Sequence, residues 1–232
     1  MAVGDEPAQL ELPLETASPS GRLPQRIRPM VASPGHEPFD DPDYLFEPWW
    51  PGTRIHVFAE DGRIRLQAEH LSDPLDAFPE LRDLAQRITL DGCVIDATLL
   101  VIDADGRPDP DGLRRRLGRP RERVGQPGVV AHDLLYAGGM SLSRMPFGRR
   151  RRQLVEVVRE ADWCVVGRAY PAEGRLLAEA LEELGIAGLS ARRMSAPWRA
   201  GEAGDAWLQV PLAADEAAPA RPSLTLIQRL PL

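Results

Sequence analysis

Residues 92–118 read GCVIDATLLVIDADGRPDPDGLRRRLG and hold a strand, a turn and a helix in one line. The ten residues after Gly92 are apolar except for Asp96 and Thr98, the composition of a buried strand. Ala104-Asp105-Gly106 closes that strand with turn chemistry, and DPDGLRRRLG reads as a short helix stopped at Gly118. Toward the N-terminus, TRIHVFAEDGRIRLQAE (53–69) contains two apolar-alternating runs split by Asp61-Gly62, a hairpin signature. LDAFPELRDLAQR (75–87) has helical spacing, with Pro79 near its first turn. Toward the C-terminus, VGQPGVVAHDLLY (124–136) is a strand followed by Gly138-Gly139. Phe147 to Ala161 is a helix opening on Arg149, Arg150, Arg151 and Arg152. WCVVGRAY (163–170) reads as a strand and AEGRLLAEALEELG (172–185) as an amphipathic helix ended by Gly185. IAGLSARR (186–193) and AWLQVPL (206–212) are the last strands. Strands and hairpins interleaved with helices make the chain α+β with mostly antiparallel sheets. Residues 1–27, rich in Pro, Ser, Gly and acid, read as a disordered arm, residues 28–212 as one domain and residues 213–232 as a tail.

The chain has 232 residues, 28 Lys+Arg and 35 Asp+Glu, for a net charge of −7. All 28 basic residues are arginine, and lysine is absent. That excludes a Schiff base, a phosphate-loop lysine and a lysyl-nucleotide intermediate. Arginine cannot act as the nucleophile in their place, because its guanidinium stays protonated. No apolar run reaches the roughly 18–20 residues that span a bilayer, and the acidic N-terminus lacks signal-peptide order. Cys93 and Cys164 are isolated, so a reduced, cytoplasmic protein with no structural zinc and no membrane partner is expected.

Five ordered segments carry a resemblance. They are PMVASPGHEPFDDPDYLFEPWWPGTR (29–54), the stretch 92–118, HDLLYAGGMSLSRMPFGRRR (132–151), GIAGLSARRMSAPWRAG (185–201) and DAWLQV (205–210). Between Pro29 and Val210 the chain resembles the adenylation (nucleotidyltransferase) domain of ATP-dependent DNA ligases, above all the short bacterial ones. The resemblance implies two mostly antiparallel sheets flanked by helices, an ATP-grasp-like arrangement. It also implies ATP and Mg²⁺ as cofactors, and a lysine that attacks the α-phosphate and passes AMP to a nicked 5′-phosphate. The residues after Val210 are too few for the OB-fold that usually follows.

At the positions the resemblance marks, scaffold is kept and chemistry is lost. The family's Lys-x-Asp-Gly-x-Arg turn reads Trp49-Trp50-Pro51-Gly52-Thr53-Arg54 here, with Trp49 at the nucleophile position and Arg54 retained. Glu47, which lies by the adenine in the family, is also retained. Asp96-Ala97-Thr98 stands for Asp-Gly-Glu, and a neutral hydroxyl is a poor Mg²⁺ anchor. Ala187 replaces a second metal-side carboxylate, and Arg192 closes that motif. Gln209 and Pro211 replace two phosphate-binding lysines, Glu69 an arginine, and His132 the aromatic that stacks on adenine. No nucleotide or metal cofactor is therefore expected.

Trp49 is expected to fill the vacated nucleotide cavity, flanked by Thr98, His132 and Ala187; an exposed stacking role is the alternative. Asp96 and Asp133 are turn or hydrogen-bonding carboxylates, with a residual metal pair as the alternative. Arg114, Arg115 and Arg116, and Arg149 to Arg152, are candidates for a phosphate-binding face. The expected role is a ligase-like module unable to self-adenylate that binds duplex DNA or a repair protein. An ATP-holding sensor and an active ligase with atypical residues stand as alternatives. Oligomeric state is left open.

Overall fold

The computed structural model describes residues 22–69, 71 and 74–213. Most of the expected arm and nearly all of the tail lie outside the described residues. In chain order the strands are β1 (Met30–Val31), β2 (Ser33–Pro34), β3 (Asp41–Pro48), β4 (Thr53–Glu60), β5 (Arg63–Ala68), β6 (Cys93–Ile102), β7 (Gln126–Ala137), β8 (Met140–Ser141), β9 (Cys164–Val166), β10 (Tyr170–Ala172), β11 (Gly188–Arg193), β12 (Gly201–Glu202) and β13 (Trp207–Pro211). The helices are α1 (Pro74–Ala77), α2 (Pro110–Gly118), α3 (Phe147–Val157) and α4 (Gly174–Glu183), with a 3₁₀ helix at Pro79–Gln86.

Two sheets dominate. One runs β5-β4-β6-β7-β8, with β9 parallel on β7; the other runs β10-β3-β11-β13-β2. The larger sheet is built around β6, whose residues alternate as a strand buried on both faces must. Cys93, Ile95, Ala97, Leu99 and Val101 enter the main core with Leu81, Leu84, Leu113 and Leu154 from the helical layer. The opposite face, with Asp96, Thr98 and Leu100, turns toward the second sheet. Tyr44, Phe46, Leu189, Ala191 and Val210 of that second sheet pack with Leu177 and Leu181 of α4. A small apolar group, Trp50, Leu100, Val130 and Val165, lies apart from both cores. This is the α+β architecture expected.

Several boundaries differ from the sequence reading for local physical reasons. The helix expected over 75–87 breaks at Phe78, because Pro79 disfavours helical backbone in the residue before it. The helix from Phe147 stops at Val157, where Thr89 and Arg159 make backbone bonds that tie residues 87–89 to 157–159. WCVVGRAY forms two strands in different sheets, and the chain crosses between the sheets at Gly167. The arm does not extend to residue 27: Leu23 and Ile27 are buried against Phe58, Val94 and Leu135. Among the described residues no helix is long and apolar enough to cross a membrane. Both cysteines are buried, and burial pushes each thiol up to about 12, as small core residues should behave.

Candidate functional site

The faces that the two sheets turn toward each other carry charged residues. Arg54 and His56 of β4 pair in register with Thr98 and Asp96 of β6. On β7 the register skips one residue: Asp96 pairs with Asp133 and Ala97 with Ala131, so His132 is the extra residue of a β-bulge. The bulge lets two consecutive residues, His132 and Asp133, serve the same side of the sheet. Across the gap, Glu47 of β3 pairs with Ser190 of β11, and Ser190 with Gln209 of β13. Helix α3 adds Arg150 and Arg151.

These groups form a buried ionic cluster. Arg54 donates from Nε and Nη2 to the Asp96 carboxylate at 2.6 and 2.5 Å, and its Nη1 bonds to the Met30 carbonyl. Arg150 grips Asp133 in the same two-toothed way, at 2.9 and 2.7 Å. Arg151 Nη2 lies 3.0 Å from Glu47 Oε1 and also donates to the Gly167 carbonyl. Arg192 has only distant carboxylates, 3.9 Å from Glu47, 3.8 Å from Asp96 and 4.0 Å from Asp133. Its guanidinium instead lies 4.2 Å from the Trp207 ring centroid, and that of Arg54 lies 4.3 Å from the same ring. His132 Nε2 shares a 2.9 Å hydrogen bond with the Thr98 hydroxyl, and its Nδ1 is 3.6 Å from Glu47. Four guanidiniums facing three carboxylates leave one positive charge in excess.

The charges hold one another's protonation states. Burial works to raise the Glu47 carboxyl, but Arg151, His132 and Arg192 outweigh it and bring it to about 2. Burial likewise opposes ionisation of Asp96, and Arg54, His56 and Arg192 overcome it, leaving that carboxyl well below its usual range. At Asp133 burial prevails over Arg150 and the carboxyl is raised. Burial also lowers His56, against the opposing pull of the Asp96 carboxylate.

The cavity beside this cluster is small, ≈ 170 Å³, and is lined by Trp49, Arg54, Thr98, His132, Arg192 and Gln209 among others. Ligand pockets of proteins hold roughly 300–1,000 Å³. Mg²⁺ requires free carboxylate or phosphate oxygens, yet Glu47, Asp96 and Asp133 are engaged by arginines and none of them lines the cavity. Asp96 and Asp133 are therefore ionic anchors rather than a metal pair. Among the described residues no group of three or more His, Cys, Asp or Glu side chains could hold a metal ion. As arranged, the three carboxylates are paired with arginines and present no free oxygen to a cation at this cavity.

Trp49 does not plug the cavity. It is 44% exposed, and the buried indole is its neighbour Trp50, at 2%. Ala187 is exposed and lines a different cavity from Thr98 and His132. Strand β3 ends at Pro48, so the strand period no longer decides which of the two indoles turns inward. The turn that follows is tight: a Cβ on Gly52 would fall 2.4 Å from the Leu99 carbonyl oxygen. With nearly half its surface in water, Trp49→Ala is expected to lower stability by only about 1 kcal/mol, rather than by the several that a core void produces. Urea unfolding measures it, and a loss above about 3 kcal/mol would restore the plug.

The arginine candidates divide. Arg116 is fully buried, donating to Glu80, to the Ala77 carbonyl at 2.9 Å and to the Gly125 carbonyl at 3.1 Å. Arg150 and Arg151 belong to the cluster. These three cannot meet phosphate, because burial this complete leaves no face for it. Arg114, Arg115, Arg149 and Arg152 are exposed. Sequence reasoning missed His56, Ser190 and Trp207 as site residues. Their strand alternation was visible, but which strands faced across the gap was not.

Comparison with known proteins gives a consistent result. A family model described as the ATP dependent DNA ligase domain matches residues 29–210. A probable DNA ligase of Anaeromyxobacter sp. (strain Fw109-5) is 30% identical over 202 residues, covering 82% of this chain and 38% of its own length. DNA ligase C1 of Mycolicibacterium smegmatis is 30% identical over 188 residues, covering 76% of this chain and 54% of its own length. A multifunctional non-homologous end joining protein LigD of Mycobacterium bovis is 27% identical over 166 residues, 72% of this chain and 21% of its own. The solved structure of mycobacterial DNA ligase D complexed with ATP and MES matches with a TM-score of 0.65 and 25% identity, covering 79% of this chain and 60% of that one. The chain thus spans about half or less of the length of these curated relatives.

Proposed function

The chain belongs to the family of ATP dependent DNA ligase domains, and on that premise we propose that it is a ligase-fold module that binds DNA without self-adenylating. One observation carries the reading. At the position where the resemblance implies the attacking lysine stands Trp49, in a chain with no lysine anywhere. An indole nitrogen has no basic lone pair to offer phosphorus, and every guanidinium is protonated. The cavity beside the buried cluster supports the same reading, since no carboxylate lines it to hold a metal ion.

DNA remains the partner that the family and the surface support. Exposed Arg114, Arg115, Arg149 and Arg152 supply cations, and local patches rather than net charge set phosphate binding. Similarity to proteins named for ligation and end joining supports a setting in DNA repair. A bound ATP sensor is less well supported at the position the resemblance implies for the nucleotide, because the cavity beside the cluster is small and its cations are largely engaged.

The test has two parts on one preparation. Incubation with ATP and Mg²⁺ or Mn²⁺ is expected to leave the intact mass unchanged, and Trp49→Lys alone is expected to change nothing. A covalent AMP adduct surviving denaturation would falsify the non-catalytic reading. Duplex binding is expected to fall steeply with salt, and Gln at positions 149 and 152 should flatten that slope. Absence of duplex binding at low salt removes duplex DNA as the partner.

A further inference from the structure

A second, larger cavity of ≈ 610 Å³ is also lined by Trp49, within the range of ligand pockets. Its walls are apolar, including Pro51, Pro108, Leu113, Leu117 and Ile186. Trp49 is held there in a fixed seat. Its backbone N–H donates to the Gly188 carbonyl at 2.9 Å, and a Cβ on Gly188 would come within 2.7 Å of its Cε3. The ring therefore lies directly on the backbone of β11, which only glycine permits, while 44% of the residue stays exposed. A large rigid aromatic surface left partly open beside an apolar cavity offers a stacking platform.

Cations stand at the rim. Arg114 lines this cavity, and it lines a shallow neighbouring one together with Arg115 and Arg119. All three are exposed. Their partners are Asp111 at 2.6 Å, Asp109 at 3.8 Å and Glu122 at 3.0 Å. Exposed pairs of this kind contribute little and are readily exchanged for another anion. Arg121 and Arg123, also exposed, follow in the chain. Apolar walls and an indole suit a flat, polarisable ring, and the adjoining guanidiniums suit the phosphates attached to it.

We infer that this cavity receives an unstacked nucleobase of single-stranded nucleic acid, its ring on Trp49 and its flanking phosphates along Arg114, Arg115 and Arg119. The inference rests on the DNA-binding reading and extends it from the duplex to unpaired bases. Because every base presents a π-face, the site is tolerant of sequence.

The test uses the full chain and an oligothymidine carrying one central 2-aminopurine, with a fluorescein-labelled copy followed by anisotropy. Binding is expected to quench 2-aminopurine several-fold. In Trp49→Leu the quench is lost and affinity falls about tenfold, with a cooperative melting transition within a few degrees of the parent's showing that the fold is intact. Trp49→Phe keeps part of the quench. Oligonucleotide binding without quench, or a quench that persists in Trp49→Leu, overturns the base site while DNA binding stands. No binding of oligonucleotide or duplex removes both. Equal displacement by AMP assigns the cavity to free nucleotides, and displacement by a proline-rich peptide alone assigns it to a protein partner; either result overturns the inference.

Discussion

Arg150→Leu is expected to destabilise the domain by about 3–5 kcal/mol, the range seen when one partner of a buried ion pair is removed. Arg150 is 2% exposed. Beyond its two bonds to Asp133, its Nη1 donates to the Met145 carbonyl and, at 3.4 Å, to that of Ala196. Leucine can fill much of the space but answers none of those acceptors. The dominant loss is Asp133 itself, a carboxylate at 1% exposure left with Arg192 no nearer than 4.0 Å. The pair need not add net stability to do this damage, because desolvating both ions offsets much of their attraction. The double variant Arg150→Leu/Asp133→Leu is therefore expected to recover most of the loss. Arg149→Leu, one residue earlier on the exposed face of α3, should stay within about 0.5 kcal/mol. Equilibrium urea unfolding of the four proteins decides the matter. A single-variant loss below 1 kcal/mol, or a double variant no better than the single, contradicts the account.

That contrast shows where the sequence could and could not be read. The strand period placed Cys93–Ile102 correctly, and Asp61-Gly62 gave the hairpin with both residues at positive φ, 53° and 67°. Asp109 caps α2 by accepting from the Gly112 N–H at 2.9 Å. These are local rules and need no partner. A run of four arginines, by contrast, looks like one surface feature, although a helix spreads it around most of its circumference and sends Arg150 and Arg151 inward. Only the counter-charges decide the outcome, and Glu47 and Asp133 lie 104 and 17 residues away in sequence from Arg151 and Arg150. The same holds for Trp49 and Trp50, where the strand ends just before the pair and its alternation gives no guidance. The bulge at His132 left no recognisable mark either, because neither glycine nor proline accompanies it.

Acid is expected to weaken the domain mainly between about pH 4.5 and pH 2, through Glu47 and Asp96. Glu47 falls from an ordinary value of 4.5 to about 2 in the fold. A carboxyl whose folded value is depressed contributes stability that is fully present above its unfolded value and is lost as pH falls through the folded one. For Glu47 alone the shift corresponds to roughly 3 kcal/mol. Asp96 shifts in the same direction, with Arg54 against it at 2.5 Å. Asp133 has the opposite sign: burial raises it, so it takes its proton earlier on acidification and offsets part of the loss. Net destabilisation remains, because two carboxyls pull one way and one the other. Surface pairs would show the same trend but fade in high salt, whereas a cluster closed to solvent is screened far less. Glu47→Gln should lower stability at pH 7, since Arg151 and Arg192 lose a counter-charge, and should flatten the slope below pH 4.5. Urea unfolding at fixed pH steps, in low and high salt, separates these contributions. A free energy that stays level from pH 7 to pH 2.5, or a Glu47→Gln protein with the parent's slope, would show that the cluster does not set the acid limit of this fold.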